Sequence, residues 1–329
     1  CFNIASDGLK TVYGATYATA EYFLQWREEE LEKKYGEELE VTLAALLSHD
    51  RLLDIIGNFI LFEKEQEGTT KKITRYMQYR ATNKIVERVQ KGETKRGLIW
   101  HTQGSGKSFT MFFAAWKLRF DKKLKNPKVF VLVDRIDLDD QLYNTFLNCG
   151  GQNVVRVESR RDLERKIQSP ERGIFISTIQ KFSELGDEVK NLDENIIVLS
   201  DEAHRDNEGI SAINLRSAMT NAFFFGFTGT PIEKSDRSTP AVFGSYIDVY
   251  DIEQAVKDGA TVPIYYENRV VRVRLKEEDR EALDKFVEEV TEQDEPEEAE
   301  KAKGKWARIE AVVGQQTRLA TIAKDIVEH

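Results

Sequence analysis

Short runs of β-branched and aromatic residues alternate with helical stretches from about residue 72 to residue 262. The runs fall at 97–101, 128–133, 153–157, 173–178, 195–200 and 222–228. A strand followed each time by a helix predicts βαβ units and a parallel sheet. Three of the runs are nearly unbroken in apolar character, which a strand needs when helices cover both of its faces. The expected fold class is therefore α/β, a parallel sheet with helices on both sides.

The pattern differs on either side of that region. Residues 1–70 predict the end of an upstream domain and a mostly helical linker. They comprise a strand-like opening, a charged helical stretch at 31–40 and an apolar-rich helix at 52–62. An exposed segment, EQEGTTKK, then separates the linker from the sheet domain at 71–262. From 258 to 275 strand-like alternation begins something new, so residues 263–329 predict the start of a further domain carrying an acidic linker or insertion. The final stretch, TRLATIAKDIVEH, has helical apolar spacing with no following strand to pack on, as in a chain that continues.

Charge changes this picture only locally. The net charge is −9, but residues 276–300 hold thirteen Asp/Glu against three Lys/Arg, a balance of −10 that leaves +1 for the remainder. The acidic total thus describes one segment and does not exclude a nucleic-acid partner. Two cysteines, Cys1 and Cys149, give no disulfide framework and no zinc spacing, which suits a reducing cytoplasm. No apolar run approaches the ~18 residues of a membrane span.

The chemistry starts at residues 101–108, HTQGSGKS. A buried strand, a glycine-containing turn and a helix start are the setting of a phosphate loop. Gly104 and Gly106 permit backbone angles that a Cβ would block. The N–H groups of Gly104, Ser105, Gly106, Lys107 and Ser108 can then wrap a phosphate at the positive end of the helix. Lys107 supplies charge to the β and γ phosphates, and the Ser108 hydroxyl suits a Mg²⁺ ligand. His101 departs from the general pattern, which wants glycine first. At 195–205, NIIVLSDEAHR sets two carboxylates at a strand tip, the ligand edge of an open parallel sheet. Asp201 can hold Mg²⁺, and Glu202 can orient and deprotonate a water for phosphoryl transfer. An Asp-Glu pair after a strand also serves as a plain helix cap.

The sequence Asp201-Glu202-Ala203-His204 is similar to motif II of superfamily 2 helicases, in its DEAH form. GFTGTP at 226–231 looks like their motif III, where Thr228 and Thr230, with His204, would couple nucleotide state to the nucleic-acid track. RYMQYRATNKIVERV resembles a Q motif, with Gln78 facing the adenine edge and Tyr76 or Arg75 packing nearby.

Longer strings narrow the resemblance. LLDIIGNFILFE, IWHTQGSGKSFTM, VLVDRIDLDDQ, ISTIQKF and DGATVPIYYENR together resemble the R subunit of type I restriction-modification enzymes, over roughly residues 45–270. His101 in place of glycine fits that family. The resemblance implies a RecA-like P-loop NTPase domain, followed by the start of a second RecA-like domain. It implies use of ATP and Mg²⁺ and movement of double-stranded DNA. Partners would be methylation and specificity subunits, in a prokaryotic cytoplasm. By motif position, Arg135, Asp137, Gln141, Thr178, Gln180 and Lys181 are candidate DNA contacts, a phosphate grip without sequence preference. The family's nuclease site has no counterpart here: Glu32-Lys33-Lys34 and Asp121-Lys122-Lys123 lie in charged helical surroundings. The arginine finger and motifs IV–VI would lie beyond His329, so this chain alone should bind nucleotide but hydrolyse it poorly. A stand-alone helicase of repair or RNA processing, and a non-enzymatic nucleotide-binding regulator, are the competing readings.

Overall fold

The computed structural model describes most of residues 2–263 and, beyond them, residues 319, 320, 322–324 and 327. Outside the description lie residues 66–67, 134–142, 149–153, 184, 187, 202–209, 231–232, 235–236, 239–242 and the rest of the C-terminal stretch. The chain divides into two compact units, Cys1–Pro263 and Ile264–His329.

The first unit is built on a seven-stranded sheet. After two N-terminal hairpins, β1 (Phe2–Ser6) with β2 (Thr11–Ala15) and β3 (Ile60–Glu65) with β4 (Gly68–Ile73), come β5 (Arg96–His101), β6 (Lys128–Val133), β7 (Val154–Arg156), β8 (Ile174–Thr178), β9 (Ile196–Ser200) and β10 (Phe223–Thr228). A two-residue pair, β11 (Glu233–Lys234) and β12 (Arg237–Ser238), precedes β13 (Tyr246–Tyr250). The sheet order is β13-β5-β10-β9-β6-β8-β7, with every neighbouring pair parallel. All six expected runs are strands of this sheet. The seventh strand, β13, is an edge strand whose apolar run is interrupted by Asp248.

Alternation along the central strands sends side chains to two separate cores. Val129, Val131, Val133, Ile197, Leu199, Phe225 and Phe227 join one cluster, while Phe130, Leu132, Ile196, Val198 and Phe224 join the other. The first face is covered by α4 (Tyr76–Lys91) and α5 (Lys107–Phe120), the second by the helices Arg160–Gln168 and Ile210–Ala218. These double-covered strands account for the near-continuous apolar runs in the sequence.

At the edge opposite the strand tips, Lys128 opens β6 with its side chain buried, 1% of the residue being exposed. Its ammonium donates to the carbonyls of Lys166, Ile167 and Ser169 at 2.5, 3.1 and 2.7 Å. A cation there satisfies the orphan carbonyls at the end of the helix Arg160–Gln168 and meets the negative end of its dipole.

Three helices, α1 (Glu29–Tyr35), α2 (Glu38–Leu47) and α3 (His49–Asn58), occupy the region expected to be a helical linker. The single charged helix expected at 31–40 is split, because Gly36 takes a φ of +80° and ends α1. The helix expected at 52–62 stops at Asn58. Ile60–Glu65 instead pairs antiparallel with Gly68–Ile73, so residues 68–72 of the expected separator, exposed at 68–70, lie in the second arm of a hairpin. The β-branched and aromatic residues Ile60 and Phe62 favour strand once Thr74 N–H closes the ladder on the Phe59 carbonyl at 3.0 Å. This region shares the core of the sheet domain. Tyr13, Trp26, Tyr79, Phe59 and Phe113 form a ring-to-ring chain with centroid spacings of 5.5, 5.5, 4.8 and 5.3 Å. Three of these pairs are tilted and the Trp26–Tyr79 pair is edge-on, an arrangement that adds about 0.5–1.5 kcal/mol beyond area burial.

Candidate nucleotide-binding site

Because β5, β10 and β9 are parallel neighbours, their C-terminal ends open on one edge. The segments leaving those ends are residues 102–106, 229–230 and Asp201, so the sheet itself gathers three of the sequence motifs. Gly104 and Gly106 have φ of +82° and +81°, the left-handed region in which a side chain is strained. Gly106 is also the residue immediately before α5. Ser105 closes the turn, its hydroxyl donating to the Thr102 carbonyl at 2.7 Å. Lys107 donates its ammonium to the His101 carbonyl at 3.4 Å, and Ser108, in the first turn of α5, is exposed.

The turn after β10 presses on this loop. A Cβ on Gly229 would lie 3.1 Å from Lys107 Nζ and 3.4 Å from the Gln103 nitrogen. Thr228 is fully buried, and its Oγ1 accepts from the Thr230 N–H at 3.2 Å, while Thr230 itself is exposed. Thr228 and Thr230 therefore flank the glycine that lies beside the phosphate loop, one buried and one exposed.

Gln78 is 4% exposed and lies against the loop. Its Oε1 accepts from the Arg75 N–H at 2.9 Å, and its Nε2 donates to the carbonyls of Ser105 at 3.3 Å and Gly106 at 3.2 Å. The amide that was expected to face adenine is here turned onto the phosphate loop. Nearby, Tyr76 donates its hydroxyl to Asp258 at 2.7 Å.

A buried charge cluster on β13 was not foreseen from the sequence. Asp248 Oδ1 accepts from Arg80 Nε at 2.6 Å and Lys84 Nζ at 2.9 Å, and Oδ2 from His101 Nε2 at 2.8 Å and Arg80 Nη2 at 3.1 Å. Burial alone would raise its pKa. The hydrogen bonds from His101 and Arg80 and the Arg80 charge outweigh this and hold it at about 2. His101 is fully buried, and that burial lowers its pKa below 6.5 against the pull of Asp248. A carboxylate only accepts, so the Nε2 that faces Asp248 is the ring nitrogen that donates. Periodicity carries no mark of this cluster: 147 positions separate His101 from Asp248. The one sequence signal is a carboxylate at an inward position of a strand.

Asp201 follows β9 directly, and its N–H donates to the Leu132 carbonyl of β6 at 2.8 Å. It is thereby fixed at the same edge as the phosphate loop. Glu202 and His204 lie outside the described residues, as do Arg135 and Gln141. Of the other candidate DNA contacts, Thr178 is buried at the end of β8, and Lys181 donates its ammonium to the Val157 carbonyl. Glu32, Lys33 and Lys34 are exposed on α1, as expected for a solvated face. Among the described residues no cluster of three or more His, Cys, Asp or Glu suits a metal, and no helix is long and apolar enough to cross a membrane.

The donors present fit a nucleotide triphosphate with a divalent cation. Two left-handed glycines, Gly104 and Gly106, bring the backbone close without a Cβ at those positions, the Lys107 ammonium lies beside the loop, and a hydroxyl and a carboxylate stand on adjoining segments.

The SWI2/SNF2 ATPase family model matches residues 77–300. The chain is 38% identical to the type I restriction enzyme HindI endonuclease subunit of Haemophilus influenzae, over 99% of this chain and 33% of that protein. It is 36% identical to a protein of Methanocaldococcus jannaschii named as the type I restriction enzyme MjaIXP endonuclease subunit, over 99% of this chain and 34% of that one. The chain thus spans about a third of the length of these relatives. Among solved structures, the DNA-bound Type ISP restriction-modification enzyme LlaBIII aligns with a TM-score of 0.44 and 19% identity, covering 58% of this chain and 16% of that one.

Proposed function

We propose, from the premise that this chain belongs to the SWI2/SNF2 ATPase family, that it is the first motor domain of a type I restriction enzyme endonuclease subunit and uses ATP to move double-stranded DNA. The phosphate loop supports this reading most directly, with Lys107 lying between the His101 carbonyl and Gly229. ATP binds with its β and γ phosphates on the N–H groups of residues 104–108 and on Lys107, which leaves the His101 carbonyl for the incoming charge. Ser108 and Asp201 are the residues that would hold Mg²⁺, whose charge neutralises the phosphate oxygens when bound. Glu202 takes a proton from water as its oxygen bonds to the γ phosphorus and the bond to ADP breaks.

Coupling to DNA runs through His204, Thr228 and Thr230. The turn carrying Thr228 and Thr230 adjoins the loop that changes occupancy. Arg135, Gln141 and Lys181 supply the backbone grip, with Lys181 leaving the Val157 carbonyl to do so, while Thr178 stays buried at the end of β8. Residues 263–329 begin the second motor domain, and the nuclease and the contacts with methylation and specificity subunits belong to the full-length enzyme, which acts in the prokaryotic cytoplasm.

The test is DNA-stimulated ATPase activity in the full-length subunit carrying Lys107→Ala. Activity falling to background supports the site, and native activity overturns it.

A further inference from the structure

We propose that Asp248 is a positioning residue for the phosphate loop: it holds His101 from the strand beside the loop while Arg80 ties it to the helix whose Gln78 grips the loop's far end. Its bearing on ATP rests on the function proposed above.

The contacts form a closed circuit. From Asp248 the path runs through His101 into the loop and reaches Ser105 and Gly106, whose carbonyls bind Gln78. Gln78 and Arg80 lie on the same helix, α4, and Arg80 returns to Asp248. Arg80 also donates to the Val249 carbonyl at 2.8 Å, and the Thr102 N–H donates to the Tyr250 carbonyl at 2.9 Å. Strand β13 therefore holds the root of the loop by main chain and side chain together.

The carboxylate has no freedom to turn. Four donor contacts divide between its two oxygens, and its side chain is fully buried. A fixed carboxylate fixes the imidazole, and His101 carries the carbonyl on which the Lys107 ammonium rests. A buried ion pair is weak evidence for stability, because apolar residues of the same volume often serve as well. Geometry is what such a cluster supplies here. The His101 backbone is not in the left-handed region, so the glycine of the general pattern has no conformational purpose at this position. The imidazole occupies that position as a pin.

The experiment compares His101→Gly, His101→Ala and His101→Gln in this chain. It reads amide hydrogen exchange of residues 102–107 without nucleotide, Mg-ATP affinity by calorimetry, and the urea midpoint. Glycine and alanine are expected to speed exchange in the loop and weaken Mg-ATP binding by about tenfold, as for one lost hydrogen bond to a charged group. Exchange in β6 and β9 should not change. Glutamine, whose Nε2 can reach Asp248 along the path of the imidazole nitrogen, is expected to restore both. Native exchange and affinity in the glycine variant would overturn the proposal. So would exchange rising equally across the whole sheet, which marks a merely structural residue. If the native chain binds no Mg-ATP, the nucleotide reading falls, while loop exchange still decides whether His101 and Asp248 position the loop.

Discussion

Gln78 Nε2 lies 3.2 Å from the Gly106 carbonyl oxygen, so the start of α4 and the last turn of the phosphate loop are one hydrogen-bonded unit. Replacing Gln78 by alanine should weaken ATP binding by about three- to tenfold, the range of one or two neutral hydrogen bonds. Glutamate at that position sets a carboxylate against two carbonyl oxygens and should be worse than alanine. Calorimetric titration with ATP and GTP separates two roles. A loss shared by both nucleotides marks loop support, and a loss confined to ATP marks contact with adenine.

Gly106→Ala should be more damaging than either. The new Cβ would sit 2.6 Å from Gln78 Nε2, on a backbone with φ of +81°. Gly229→Ala is the milder neighbour, since its nearest atom is the mobile ammonium of Lys107 at 3.1 Å. The expected outcome is a thermal midpoint within about 3 °C of native, roughly 1 kcal/mol for a domain of this size, together with weakened ATP binding. An unaltered affinity would remove Gly229 from the nucleotide site.

For Glu202→Gln the direction is opposite in the two observables. Nucleotide binding should persist while ATP turnover in the full-length subunit drops by about 10²- to 10⁴-fold, the usual worth of a general base. Loss of both together would rule out a role confined to activating water.

Asp248 gives a pH prediction. Its folded pKa of about 2 lies below the ordinary 3.8, so it contributes stability fully above pH 3.8. That contribution disappears as pH falls toward 2, and a shift of this size corresponds to about 2 kcal/mol. The stability difference between native chain and Asp248→Asn, taken from urea curves at pH 2 to 5, should therefore shrink toward the acid end. A difference independent of pH would contradict the ion cluster.

Lys128→Met removes the donor that caps three carbonyls at the end of the helix Arg160–Gln168. The Ile167 carbonyl keeps the Asn191 Nδ2 donor at 2.6 Å, so the loss falls on the Lys166 and Ser169 carbonyls and should cost about 1–3 kcal/mol. Urea unfolding measures this directly, and a cost near zero would mean the helix end finds other partners.

What the sequence discloses here follows from range. Strands β6, β9 and β10 are legible because burial on both faces demands unbroken apolar runs, and the phosphate loop because its backbone angles demand Gly104 and Gly106. The break at Gly36 is hidden in a continuous charged pattern. The β3–β4 hairpin is hidden because Ile60–Phe62 prolongs the apolar spacing of α3 without interruption. Gln78 is legible as a residue of the site but not in its direction, since an amide donates and accepts equally well. Asp248 is the hardest to see, because its meaning depends on partners brought to it from α4 and β5 by the fold.

The place of β13 beside β5 also sets an order of events during synthesis. The strand that carries the phosphate loop is paired on one side by residues 224–228 and on the other by residues 246–250. A nascent chain therefore leaves β5 with bare edges until the ribosome has released most of the domain. Contacts this distant in sequence close slowly, and an unpaired apolar strand invites pairing with other chains. A chain truncated just before Tyr246 keeps every motif from Gln78 to Thr230, yet it retains an open edge at its most important strand and should aggregate.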